Sequence, residues 1–271
     1  PAEAAARYPG AHVKWFGTDA SPALDYAGRL LWSAGHREPA HVRFVERPGL
    51  LAAYDEAVAD ADVVHLHGWG TARLAARARG VPAVHVAIDP WTANVGNRRL
   101  SAARRVLDAG QSTRVARHER RHYPAAAAVV VVTGADADTI RALVPDATVE
   151  VIPNGVNAGP EPSPTTTEHP VLGFHGVFDS QANVDAATSL VREILPRVRV
   201  MVPETEVLLA GRRPPREVRR LVGDGVELRA DVDDLRPTLD EMSVHVDWMT
   251  SGAGIKNKVL EAMAAGRPVV A

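Results

Sequence analysis

With 271 residues, 46% hydrophobic and 24% charged, the chain has room for one large or two medium domains and the make-up of an ordinary folded protein. Its formal net charge of −2 gives no general attraction to nucleic acid or to an anionic membrane, so either partner would need a local basic patch. The absence of cysteine excludes disulfides, cysteine-ligated zinc, iron–sulfur clusters and thiol catalysis, and fits a reducing cytoplasm.

Residues 3–8 read as the tail of a helix. Short apolar, β-branched runs then recur at 12–16, 42–45, 63–66, 83–88, 127–132 and 149–152, each followed by a helix-length segment. Most lack polar alternation, as expected of parallel strands covered by helices on both faces. The most hydrophobic stretch, 125–132, is strand-sized, and no run nears the roughly 20 residues of a membrane-spanning helix. His65 and His67 sit at a strand end; read as alternating onto opposite sheet faces, they argue against a shared zinc site.

Gly68-Trp69-Gly70-Thr71-Ala72-Arg73 follows that strand, opens a helix, and has Asp89 about 20 residues on, which imitates the dinucleotide fingerprint. Arg73 at the third position would spoil the close helix–strand packing that glycine allows, so an NAD-binding oxidoreductase is the weaker alternative. Eight arginines fall between Arg98 and Arg121. They read as a solvated helical face, the alternative being a basic surface that meets anionic lipid at the inner face of a membrane or a phosphorylated acceptor. Stacking aromatics are nearly absent there, which argues against nucleic acid. Asp136-Ala137-Asp138 could be a metal-binding pair, but the position reads as a helix start, which favours carboxylates for capping.

Pro153-Asn154-Gly155 reads as a turn, and 159–170, rich in Pro, Thr and Glu, as a linker. Apolar runs resume at 171–174, 206–209, 226–228, 244–247 and 269–270. The pattern predicts an α/β protein of two Rossmann-like, doubly wound parallel-sheet domains facing a cleft, residues 1–157 and 158–271. The last run stops abruptly at Ala271, so the sequence is expected to lack pieces at both ends.

Ligands of open parallel sheets bind beyond the carboxyl ends of the strands. The most informative such place follows a strand ending near Asp247: Gly252, Ala253 and Gly254 form a loop, and a helix is expected to begin near Gly254. Glycines let a ligand approach the backbone, and the N–H groups of a helix start favour an anion. Lys256 and Lys258 add positive charge, a combination suited to a diphosphate. Glu261 lies about 10 Å along that helix and shares a face with Lys258; its two oxygens can take both hydroxyls of a ribose. The plain alternative is a solvated Lys258–Glu261 pair. Val259, Leu260 and Met263, on the opposite face, read as core. Gly211-Arg212 ends another strand, where Arg212 either faces the nucleotide or lies on the surface.

Ile152-Pro153-Asn154-Gly155-Val156, Glu261-Ala262-Met263-Ala264 and Gly266-Arg267-Pro268-Val269-Val270 resemble the retaining glycosyltransferases of family 4, the GT-B "glycosyl transferases group 1" type. Gly254-Ile255-Lys256-Asn257-Lys258-Val259-Leu260-Glu261 resembles a subgroup with a Lys-bearing loop there, and Gly173-Phe174-His175-Gly176 with Asn183-Val184-Asp185-Ala186 the first strand, turn and helix of the donor domain. The likeness covers about residues 60–271 and is most specific in the last hundred. It implies an N-terminal acceptor domain and a C-terminal donor domain. It further implies transfer of a sugar from a nucleoside diphosphate-sugar to a hydroxyl with retained configuration, as in polysaccharide biosynthesis, with no cofactor or obligatory metal. The implied donor residues are Gly176, Arg212, Gly252, Gly254, Ile255, Lys256, Lys258 and Glu261, with Lys258 steadying the leaving diphosphate. The acceptor could be a saccharide, a lipid-linked compound or a small molecule.

Three departures stand out. Ala253 occupies the place of a glutamate eight positions before Glu261; Val177-Phe178-Asp179 and Asn183 replace an Arg and a Lys; and Ile88-Asp89 replaces His-Asp. Asp89 keeps the carboxylate and is the N-domain candidate for contacting acceptor or donor hydroxyls, a turn or cap role being the alternative. Glu119 matches a position expected to orient a loop. A non-catalytic nucleotide- or sugar-binding module on the same scaffold is the second alternative.

Overall fold

The structure, a computed structural model, describes residues 22–96, 102–157, 159, 161, 167–249 and 255–271. The strand expected at 12–16 and residues Gly252, Ala253 and Gly254 lie outside the described residues. The chain divides into two compact units, Pro1–Ile152 and Pro153–Ala271.

The first unit runs α1 (Pro22–His36), a 3-10 helix (Ala40–Glu46), α2 (Pro48–Ala59), β1 (Val64–His67), a second 3-10 helix (Trp69–Arg77), β2 (Ala83–Ile88), α3 (Trp91–Gly96), α4 (Ala102–His122), a 3-10 turn (Tyr123–Ala125), β3 (Ala128–Val131), α5 (Gly134–Leu143) and β4 (Val149–Val151). Its four strands pair in parallel in the order β1-β2-β3-β4. Val129, Val131, Ala87 and Ile140 are fully buried in one core, each large aliphatic chain contributing about 1.5–3 kcal/mol. Thr133 caps α5: its hydroxyl accepts the Asp136 N–H at 3.1 Å and donates to the Asp136 carboxylate at 2.6 Å. Asp136 thus serves the helix start, as expected from its position.

The strand expected at 42–45 is instead part of the first 3-10 helix. Val42 and Val45, three residues apart, fall on one side of a helix with three residues per turn and are both buried. A short apolar run alone does not separate that pattern from a buried strand. The expectation for His65 and His67 also fails: residues two apart on a strand share a face, and both rings stand on the exposed side of β1, their centroids 6.3 Å apart.

The second unit runs β5 (Val171–His175), α6 (Gln181–Ser189), a π turn (Leu190–Ile194), α7 (Leu195–Arg199), β6 (Glu206–Gly211), α8 (Arg216–Arg219), β7 (Val226–Ala230), α9 (Arg236–Asp240), β8 (Val244–Val246), α10 (Asn257–Ala264) and β9 (Val269–Val270). All five expected strands are present, parallel, in the order β7-β6-β5-β8-β9. The chain builds outward from β5 on one side, then returns to build on the other. A topological switch point therefore lies between β5 and β8, the place where such sheets open a ligand crevice at their carboxyl ends. The last helix starts at Asn257, three residues later than expected, and Met263 is 61% exposed rather than in the core; Ala262 and Ala265 fill the buried positions.

Two turns meet behind the switch point. Gly211, at φ 152°, lies so close to the chain after β5 that a Cβ there would stand 1.8 Å from the Gly176 carbonyl oxygen. Only a residue without a side chain fits without moving backbone. Gly211→Ala is expected to cost about 2 kcal/mol or more, read as a lower urea midpoint, because backbone must shift; an unchanged midpoint would show that the two turns can separate at no cost.

Candidate functional site at the switch point of the second unit

Asp247 follows β8, and its carboxylate is fully buried. Two ammonium groups converge on it: Lys256 Nζ at 3.0 Å and Lys258 Nζ at 3.8 Å, their side chains 33% and 12% exposed. Lys258 also donates to Asn183 Oδ1 at 2.6 Å, lies 3.0 Å from Met249 Sδ, and sits 4.5 Å from the centroid of the Phe174 ring. Burial pushes the Lys258 ammonium below its ordinary pKa, while Asp247 opposes that shift. Asn183 is held from its other end by donating to the Val177 carbonyl at 2.7 Å, and it packs against Gly176, where a Cβ would come within 3.0 Å of its amide. Gly176 thereby lets the first turn of α6 close over the lysine. Lys256, at the cap position of α10, makes no capping hydrogen bond with its side chain, and Asn257 bonds Asn154 at 2.8 Å.

Glu261 does not pair with Lys258 as a surface couple. It accepts from His175 Nε2 at 2.8 Å, which lowers its pKa, and its side chain remains 45% exposed. His175 Nδ1 lies 3.0 Å from His245 Nε2, so a file of two buried imidazoles stands behind the carboxylate. Burial, then the neighbouring His175, pushes the His245 imidazole down to about 3. His245 is therefore neutral, and its Nε2–H donates to His175 Nδ1, leaving the His175 Nε2–H for Glu261. Sequence reading quoted His175 only as part of the turn motif, gave it no role, and passed over His245; a lone polar residue in each of two apolar strands was the available signal.

The structure thus brings Gly176, Lys256, Lys258 and Glu261 together around the ends of β5 and β8. Ile255 is half-buried just before α10, and Arg212 is exposed beyond β6. A cavity of about 240 Å³ lies elsewhere, at the amino ends of β5, β6 and β7 among Glu206, Glu227 and Glu241; parallel sheets do not bind ligands at that end.

In the first unit, Asp89 follows β2 and accepts the Trp69 indole N–H at both its carbonyl (3.0 Å) and Oδ1 (3.2 Å). The preceding Ile88 has φ 71°, a costly conformation for a β-branched residue, at a bulge in the β2–β3 pairing. Glu119 is buried and accepts from the Trp91 N–H at 2.9 Å, the Thr92 hydroxyl and the Tyr123 hydroxyl. It fastens the start of α3, the loop-orienting job expected of it. The segment after β1 winds as a 3-10 helix with Arg73 paired to Glu46, not as an α-helix opening on a dinucleotide turn. Arg117, Arg120 and Arg121 are exposed on α4, and among the described residues no helix is long and apolar enough to cross a membrane.

Residues 2–159 match the Glycosyltransferase Family 4 profile and residues 169–271 the Glycosyl transferases group 1 profile. The chain belongs to glycosyltransferase family 4. No curated protein matches the sequence. Among solved structures the family 4 chain is similar to TarM (TM-score 0.62, 16% identity, 81% of this chain and 44% of that one). It is also similar to HepE from Anabaena in complex with UDP and glucose (0.55, 15%, 82% and 62%) and to a glycosyltransferase from Rickettsia africae (0.56, 11%, 99% and 67%). It spans about half to two thirds of the length of these proteins. At such identities the likeness establishes a shared two-domain α/β fold of the GT-B type.

The buried imidazole behind Glu261 makes the second unit of this family 4 chain acid-sensitive. An unfolded chain protonates His245 below about pH 6.5 and the native state does not, so its contribution is complete above that value and is lost as pH falls toward about 3. Between pH 7 and pH 5 the loss from this residue is about 2 kcal/mol, and His245→Gln is expected to remove it from the pH dependence of urea unfolding. A slope that the substitution leaves untouched would show that the native ring carries a proton.

Proposed function

We propose that this chain transfers a sugar from a nucleoside diphosphate-sugar to a hydroxyl acceptor, with retention at the anomeric carbon, and that the switch-point cluster of the second unit holds the donor. The observation that carries this reading is the placement of Lys258 and Glu261 on one face of α10 at the ends of β5 and β8. Lys258 would give its ammonium to the diphosphate, and Glu261, oriented by His175 yet about half exposed, would accept the two ribose hydroxyls. With the helix starting at Asn257, these two functions lie within about one and a half turns. Asp247 offsets one of the two lysines, so the phosphates would also rely on the amides that open α10, which the Lys256 side chain does not cap. The UDP and glucose held by the HepE structure are the ligand chemistry this arrangement suits.

The reaction would break the bond between the anomeric carbon and the diphosphate oxygen, and an acceptor hydroxyl would add to the same face of the oxocarbenium-like sugar. Its proton would pass to the departing diphosphate. Catalysis then rests on stabilising developing charge at the diphosphate, the task of Lys258 and the helix amides, and needs no protein nucleophile. Asp89, aimed by the strained turn at Ile88 and steadied by Trp69, is the first unit's group for a substrate hydroxyl.

Uridine, guanosine or adenosine diphosphate at 100 times its Kd is expected to stabilise the protein by about 2.7 kcal/mol, seen as a raised melting temperature. NADH should leave that temperature unchanged, and the reverse pattern would favour a dehydrogenase. Lys258→Ala is expected to lower kcat/KM by about 10²–10³-fold, the loss typical of an oxyanion donor. Turnover close to that of the parent enzyme would remove Lys258 from the mechanism.

A further inference from the structure

The first unit holds a second cluster of polar side chains unrelated to the donor reading. His118 and His122, one turn apart on α4, project from the same face with ring centroids 4.5 Å apart. Glu38, just beyond α1, reaches between them. Its Oε2 lies 2.7 Å from His118 Nδ1 and its Oε1 lies 3.2 Å from His122 Nε2. The three side chains are only 9%, 0% and 11% exposed, and one potential ligand atom from each falls within 4.8 Å of the others. We propose that Glu38, His118 and His122 bind a divalent transition-metal ion, with zinc as the reference ion, that fastens the segment after α1 to the last turns of α4.

Three observations carry this assignment. The first is donor chemistry: two imidazoles and a carboxylate suit zinc and its first-row neighbours. The second is geometry. Ligand bonds of 2.0–2.1 Å to a tetrahedral zinc put ligand atoms about 3.3 Å apart; one atom from each of the three side chains already lies within 4.8 Å of the others, and the carboxylate, which now gives one oxygen to each ring, would turn to offer a single oxygen to the ion. Glu38 is otherwise well placed, because the buried Ser33 hydroxyl donates to its carbonyl and Arg37 turns the chain inward at φ 56°. Arg121, 3.8 Å from Glu38 and 69% exposed, can swing outward.

The third is an unpartnered atom at His118: its Nδ1 faces Glu38, while its buried Nε2 makes no hydrogen bond among the described residues. A metal on Nδ1 would leave the ring proton on Nε2, as in metal-bound histidines that donate their other N–H to a neighbouring acceptor. The His-Glu-x-x-His spacing of 118–122 also occurs in zinc hydrolases, where the glutamate is the base. Here Glu119 is committed to the Trp91 N–H, the Thr92 hydroxyl and Tyr123, so the ion would be structural.

Chelator-treated, untagged protein should take up one zinc per chain by calorimetry, melt at a higher temperature with zinc, and give visible d–d bands with cobalt. Glu38→Gln and His122→Gln should each weaken zinc binding by at least tenfold and remove the melting shift. His65→Ala with His67→Ala, which deletes the exposed pair on β1, should leave both intact. Absence of saturable uptake would overturn the proposal, as would uptake abolished by the His65/His67 variant or left unchanged by both Gln variants. Nucleoside diphosphate binding is measured in parallel; because the cluster and the donor residues belong to different units, failure of one reading leaves the other standing.

Discussion

The second unit depends on a carboxylate that water cannot reach. An isolated buried charge costs several kcal/mol, and Asp247 is tolerable only because Lys256 and Lys258 both turn toward it. That requirement fixes where the two lysines can be, and through Lys258 it fixes Asn183, the turn at Gly176 and the start of α6. The same ion cluster that would present positive charge to a ligand therefore also holds α10 to β8. Breaking such a buried pair by removing one partner is far more damaging than never having had it.

A parallel logic operates one turn along. Glu261 could have been a mobile surface carboxylate, but the His245–His175 file specifies which oxygen is bound and from which direction. The polar atoms inside β5 and β8 are thus part of a line from the sheet interior to the site. In the first unit Glu119 has the same kind of job, using a buried carboxylate to fix the backbone at Trp91 and Thr92.

Much of the fold could be read directly because parallel strands buried on both faces leave unbroken apolar runs, and the runs at 83–88 and 269–270 coincide with β2 and β9. The run at 42–45 misled because two buried valines three apart satisfy a 3-10 helix as well as a strand. The start of α10 was displaced because glycines signal a loop without saying where it ends, and Met263 looked internal although smaller alanines occupy the buried side. Of the candidate site, the residue types at Lys256, Lys258 and Glu261 were legible from spacing. Their partners were not, since Asp247, Asn183 and His175 meet them only through the crossover order of the sheet. Glu38 lies 80 residues from His118, and no local pattern joins them.

The left-handed backbone at Ile88 has a further bearing on how this protein could be modified. A β-branched residue held at positive φ stores about 1–3 kcal/mol, strain that glycine would release at the cost of a half-buried side chain and a freer unfolded backbone. Thermal resilience gained that way would come from loosening the segment that directs Asp89. On the proposed role of Asp89, selection for a hardier fold and selection for a well-aimed carboxylate would pull this single position in opposite directions.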